Sequence, residues 1–174
     1  MTVNEAAAPD LEAPWNSERR GSEGESSERT YPPRPFLAVS IAVFREGRVL
    51  LAARTRPPFK GLFSLPGGLV ETGESLADAA VRELFEEVRV KAAIASFNRH
   101  VESIEWDASG KVLRHYVIAS FVGEWLSGEG VPGPEASEII WADPSRLGLL
   151  NCTPQTEAVV GSAQLLLRGQ RQVL

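Results

Sequence analysis

Pro66-Gly67-Gly68-Leu69-Val70-Glu71-Thr72-Gly73-Glu74 runs directly into Ser75-Leu76-Ala77-Asp78-Ala79-Ala80-Val81-Arg82-Glu83-Leu84-Phe85-Glu86-Glu87-Val88. The change of pattern between these two halves decides the fold. The first half is punctuated by Gly67, Gly68 and Gly73, residues that allow sharp backbone turns and close approach of a ligand. The second half has a helical period. Ser75 with Asp78 three residues on is close to a capping box, and the helix runs to about Val88. At about 100° per residue, Ala77, Val81, Leu84, Phe85 and Val88 form one apolar stripe. Glu83, Glu86 and Glu87 share an arc of roughly 100° beside it.

Carboxylates three and four residues apart on a helix repel by a few tenths of a kcal/mol per pair. Arg82 borders the arc and cancels one of the three charges. A hard divalent cation is the natural counter-charge for the rest. Mg²⁺ takes one or two carboxylates, keeps several waters and draws its remaining ligands from substrate phosphates. Three glutamates alone more often make a solvated helix face; the glycine loop that enters this helix changes the weighting.

Upstream, Phe36-Leu37-Ala38-Val39-Ser40-Ile41-Ala42-Val43-Phe44 is β-rich and long enough for a central strand. Arg45-Glu46-Gly47-Arg48 is a turn, and Val49–Ala53 is the returning strand. Arg56–Gly61 is a loop, and Phe63-Ser64-Leu65 is a short extended piece. Downstream, a long hairpin over 92–106 and 111–122 closes through Asp107-Ala108-Ser109-Gly110. Gly128–Pro134 is a loop, Ile139-Ile140-Trp141 a short last strand, and Asp143-Pro144 the start of a turn. Thr153-Pro154 predicts an N-cap and first helical position for a second helix ending near Arg168-Gly169.

The chain has 174 residues and 43% hydrophobic content, the size and core of one ordinary domain. Residues 1–34 stand apart: four Arg against seven acids, rich in Glu, Ser and Pro, with no apolar period. Such a segment predicts a disordered or loosely docked tail, with the domain at 35–174. Trp15 is its one candidate anchor. The net charge of −5 and the lack of a basic stripe argue against a nucleic-acid partner. No apolar run approaches the ~18 residues of a membrane span. A single cysteine, Cys152, and an N-terminus without a secretion-signal pattern make a reducing cytoplasm the expected address.

Gly68, Glu74, Arg82, Glu83, Leu84, Glu86, Glu87 and Val90 together resemble the signature of the Nudix hydrolases. Five residues separate Gly68 from Glu74 and seven separate Glu74 from Arg82, as in that signature. One position departs, Arg89 in place of a closing glycine. It either prolongs the helix or accepts a left-handed backbone that costs a non-glycine residue roughly 1–2 kcal/mol. The resemblance implies an α+β fold, an α/β/α sandwich with a mixed β-sheet between helices. It also implies hydrolysis of a diphosphate linked to another moiety, with Mg²⁺ or substituting Mn²⁺. Carried over, Glu83, Glu86 and Glu87 are metal ligands, with a backbone carbonyl from Gly67 or Gly68, and Glu83 also works as, or orients, a base. Arg82 orients a glutamate, and Glu74 ties the loop to the helix.

Many members of that family add a carboxylate from a loop before the last strand. Glu135, six residues before Trp141, is the first candidate, with Glu138 its rival and Glu129 less favoured. Arg54, ending the second strand, is placed near substrate phosphates. His100, His115 and Cys152 are structural residues on this reading. Trp106, Trp125 and Phe63 serve equally as base-stacking or packing groups. The expected substrate is a nucleoside diphosphate derivative, ADP-ribose first, although the proline that marks one ADP-ribose subgroup is absent at Glu105-Trp106-Asp107. A nucleoside-triphosphate sanitising pyrophosphatase and a non-catalytic ligand-sensing module are the alternatives. Family members often dimerise, and a homodimer is an open possibility.

Overall fold

The strand over Phe36–Arg45 (β1) has Ile41, Ala42 and Val43 fully buried, because it lies mid-sheet with a layer on each face. The computed structural model describes residues 29–171, and side chains as far as residue 169. Trp15 and most of the acidic tail lie outside the described residues. The end of that segment joins the folded body: the Tyr31 amide donates to the Leu113 carbonyl at 2.9 Å, and its hydroxyl donates to Asp107 at 2.9 Å.

After β1 come β2 (Arg48–Arg54), β3 (Phe63–Ser64), β4 (Gly67–Leu69), α1 (Leu76–Val88), β5 (Lys91–Trp106), β6 (Val112–Ser127) and β7 (Ala136–Ala142). A 3-10 helix over Pro144–Leu149 and α2 (Thr156–Arg171) complete the described chain. The sheet is mixed. Its main order is β3-β2-β1-β6-β5, with β4 on β1 and β7 on β2. All neighbours are antiparallel except β1 and β6, which run parallel from Phe36↔Tyr116 to Phe44↔Glu124.

The β1–β2 hairpin is paired only at Phe44↔Val49 and Arg45↔Arg48, and then splays. Into the gap on the β1 side comes β4, pairing Val39 with Gly68 and Ser40 with Gly67. On the other side β2 takes β3 and β7. The splay therefore brings the glycine segment, expected as loop, into the sheet directly beneath α1. A Cβ at Gly67 would overlap the Val39 carbonyl, which is why no larger residue suits this strand.

The two faces carry separate cores. On one, α1 covers Val39, Ile41, Val43, Leu50 and Ala52. On the other, α2 and the 3-10 helix cover Ala42, Val49, Leu51 and Val122. The stripe that α1 buries differs from the expected one. Ala79, Ala80, Leu84 and Val88 are buried, whereas Phe85 is 40% exposed, with Arg89 and Lys91 cations over its ring. Small Ala79 and Ala80 let the helix settle with its buried arc turned toward Glu83 and Glu87, so these carboxylates are drawn partly inside.

Other boundaries shift. Thr153 does not cap α2. Gln155 has φ +68°, a left-handed residue that no helix start can contain, so the helix begins at Thr156 and ends at Arg171. The Thr153 and Thr156 hydroxyls share a hydrogen bond at 2.8 Å across this turn. The last strand is longer than Ile139–Trp141 because its whole length pairs with β2.

Candidate active site

The expected site residues lie on α1, on β4 and the loop that joins them, at the end of β2 and just before β7. The Ser75 hydroxyl caps α1 by accepting the Asp78 amide at 3.1 Å. At the other end Arg89 adopts φ 58°, ψ 30°, and its amide donates to the Phe85 carbonyl at 3.0 Å. Arg89 thus accepts the left-handed conformation instead of prolonging the helix, so the helix stops where a glycine would stop it.

Arg82 is the hub. Its Nε and Nη2 donate to the two oxygens of Glu74 at 3.0 and 2.7 Å, a two-pronged pair. Nη2 also reaches the Leu69 carbonyl at 3.0 Å, while Nη1 donates to Glu83 at 2.8 Å and Glu86 at 3.1 Å. Glu74 in turn accepts the Glu71 amide at 2.7 Å. One guanidinium thereby joins the glycine loop, β4 and the carboxylate face of the helix. The Arg82 fork holds the Glu74 carboxyl below its ordinary range, and Glu74 is the main reason the Arg82 guanidinium is held more firmly charged than usual.

Glu87 is placed differently. Its Oε2 accepts the Gly67 amide at 3.0 Å, binding the last turn of α1 to β4. Burial is the largest influence on this carboxyl and pushes it up to about 7. The Gly67 bond and nearby Arg54 pull it down, and Glu135 and Glu83 add to the rise. Glu83 is raised as well, again chiefly by burial, against the pull of Arg82 and with Glu86 and Glu135 repelling. A Cβ at Gly68 would overlap the Glu83 carboxylate, so the glycine there makes room for an acid.

Arg54, at the end of β2, faces Glu87, and its buried Nε has no hydrogen-bond partner among the described residues. Glu135 stands at the rim, close enough to raise both Glu83 and Glu87, and Arg56 pairs with it at 2.8 Å. Glu138 is opposite Ala53, on the face turned away from α1, and Glu129 pairs with Arg45 at 2.7 Å. Of the three candidate acids, Glu135 is the one beside the cluster, and Glu138 lies within β7. His115 is a strand residue opposite Ile104, and His100 lies against Phe97. Trp125 packs under Arg45, while Trp106 stands 60% exposed on the long hairpin.

Among the described residues no three His, Cys, Asp or Glu side chains stand as a ready-made metal cage. The reason is visible in the bonding. Arg82 occupies one oxygen each of Glu83 and Glu86, and Gly67 occupies one of Glu87. The carboxylate oxygens nonetheless suit a hard cation, and two of the carboxyls are raised chiefly by burial. Sequence reasoning missed Thr55, Arg56 and Gly133, which fix Glu135 and the end of α1. Nothing in their types or spacing marks them.

Comparison with known proteins identifies the family. A family model described as the NUDIX domain matches residues 34–163. The chain is 34% identical over 113 residues to an ADP-ribose pyrophosphatase of Methanocaldococcus jannaschii, an alignment covering 65% of this chain and 64% of that protein. It is 30% identical over 121 residues to an NAD-capped RNA hydrolase, NudC, of Edwardsiella ictaluri, covering 69% of this chain and 44% of that one. The alignment thus spans less than two-thirds of the length of either relative. The crystal structure of a MutT NUDIX hydrolase from Burkholderia pseudomallei superposes with a TM-score of 0.65 at 27% identity, over 74% of this chain and 98% of that one. Mixed sheet, glycine segment, capped glutamate helix and family match converge, and the chain belongs to the NUDIX domain family.

Proposed function

We propose that the protein is a divalent-metal-dependent hydrolase of the pyrophosphate linkage in a nucleoside diphosphate derivative, with ADP-ribose the first candidate. One observation carries the reading. Glu83, Glu86 and Glu87 share one arc of α1 against Gly67 and Gly68, with two of the three carboxyls raised by burial. A helix face kept merely for solubility would not draw its acids inward. The similarity to an ADP-ribose pyrophosphatase supports the choice of substrate.

Glu83, Glu86, Glu87 and the Gly68 backbone would hold Mg²⁺, with Mn²⁺ able to substitute. When bound, such an ion offsets phosphate charge and lowers the pKa of an attacking water. The chain's own groups supply the rest. Arg82 holds Glu83 and Glu86 in place while Glu74 holds Arg82. Arg54 supplies positive charge close to Glu87 that favours a phosphate there. Glu135 accepts the proton that water loses on adding to phosphorus, as the bridging oxygen departs with its electron pair to leave two phosphomonoesters.

The test is product analysis with ADP-ribose, reduced NAD and the nucleoside triphosphates, with Mg²⁺ or with chelator. We expect Mg²⁺-dependent formation of AMP and ribose 5-phosphate from ADP-ribose. Glu86→Gln and Glu87→Gln should each lower kcat by at least ~10²-fold, the scale of a lost charge-stabilising group. Wild-type rates in both variants would overturn the assignment.

A further inference from the structure

The backbone of the segment that leads to Glu135 is tied down at its start, middle and end. At its start, the Trp125 and Trp141 indoles donate to the Gly128 and Glu129 carbonyls at 2.7 and 3.1 Å. Arg45 stacks over both rings and pairs with Glu129. Midway, the Val131 and Gly133 amides donate to the Val88 and Glu87 carbonyls at 2.8 and 2.9 Å, satisfying the open end of α1. At its end, Thr55 grips two carbonyls, its amide donating to Glu135 at 3.1 Å and its hydroxyl to Pro134 at 3.2 Å.

The Glu135 backbone is therefore tied to the same helix that bears Glu83 and Glu87, and to the end of β2. Its side chain is 57% exposed, in an ion pair with Arg56 at 2.8 Å. Arg56, itself 47% exposed, sits one residue beyond Thr55 and two beyond Arg54. A flexible carboxylate on a fixed backbone takes its direction from its partner. A solvated ion pair adds little to stability, so the consequence of this one is directional.

We propose that Arg56 is a positioning residue that sets the Glu135 carboxylate at the rim of the Glu83–Glu87 cluster, making the catalytic contribution of Glu135 depend on it. The inference rests on the role assigned to Glu135 above. It predicts a kcat effect and leaves KM nearly alone, because Arg56 acts through Glu135 and not on the substrate.

The experiment is a double-mutant cycle with ADP-ribose and Mg²⁺, using wild type, Arg56→Gln, Glu135→Gln and the double variant, with Arg56→Lys and thermal melts as controls. We expect Glu135→Gln to lower kcat by ~10²-fold and Arg56→Gln by ~10-fold, the latter with KM changed less than ~3-fold. The double variant should match Glu135→Gln alone, and Arg56→Lys should recover most of the rate. Multiplying effects, a rise in KM as the main change, or an unaltered kcat in Arg56→Gln would each overturn the inference. So would a wild-type rate in Glu135→Gln. A wild type that hydrolyses ADP-ribose while Arg56→Gln is silent refutes this step and leaves the proposed function standing; an inactive wild type refutes the function itself.

Discussion

Replacing Glu87 with glutamine separates what this carboxyl costs the fold from what it gives the chemistry. Its value is raised from 4.5 to about 7, mainly by burial. The folded protein thus holds a proton that the unfolded chain releases at lower pH. The stabilisation from that proton is complete below 4.5 and is lost as pH rises through about 7. Taken at face value the difference is about 3 kcal/mol, and partial solvation of the group trims it to about 2 kcal/mol. Glutamine keeps an acceptor for the Gly67 amide and removes the charge. In chelator at pH 8.5, Glu87→Gln should therefore melt about 4–8 °C above wild type, at 2–4 °C per kcal/mol. The gap should close toward pH 4.5. Mg²⁺ at saturating concentration should stabilise wild type more than the variant, by linkage. Thermal melts from pH 4 to 9 with and without Mg²⁺ are the assay. A gap that does not change with pH, or a variant less stable at pH 8.5, would refute the reasoning.

Arg82→Ala removes the fork to Glu74 and the bonds to Glu83, Glu86 and the Leu69 carbonyl around a side chain only 23% exposed. Urea unfolding should show a loss of about 3 kcal/mol, the low end for stripping a partner from inward-facing charges. Arg82→Lys should restore less than half, since an ammonium cannot form the fork. Gly68→Ala should lower kcat at least ~10-fold with little change in Tm, because the atoms nearest its Cβ all belong to the Glu83 carboxylate, the end of a flexible side chain. Gly67→Ala should instead cost ~2 kcal/mol or more of stability, because its Cβ meets Val39 backbone. Arg89→Gly should raise stability by about 1 kcal/mol in a melt by relieving a left-handed residue at the end of α1.

Much of this site was legible because its residues are local in sequence. Gly68 to Val90 is one glycine segment and one helix, and a 3.6-residue period with fixed spacings describes both. Helix cap, carboxylate arc and hairpin turn at Asp107 follow from side chains acting on neighbours within four residues. What escaped depends on distant pairing. Gly67–Leu69 becomes a strand only because β1 and β2 splay, which three residues cannot announce. Phe85 reads as core on a helical wheel. Only the approach of α1 over Ala79 and Ala80 shows that the buried arc turns toward the glutamates. The start of α2 failed at Gln155, where an unremarkable side chain carries a positive φ. Thr55 and Arg56 matter only because β2 ends beside Glu135, 79 residues on from Arg56.

The parallel pairing of β1 with β6 also bears on how the chain comes into being. Phe36 lies 80 positions ahead of Tyr116, its partner in register. At ~5–20 residues per second, about 4–16 s of synthesis separate the emergence of the two. Throughout that interval an apolar strand has only a two-rung hairpin and, later, the three-residue β4 beside it, and the edge that β6 will take stays open to any passing segment. The nascent molecule is thus most vulnerable to wrong association before its sixth strand leaves the ribosome, and slower translation would lengthen that exposure.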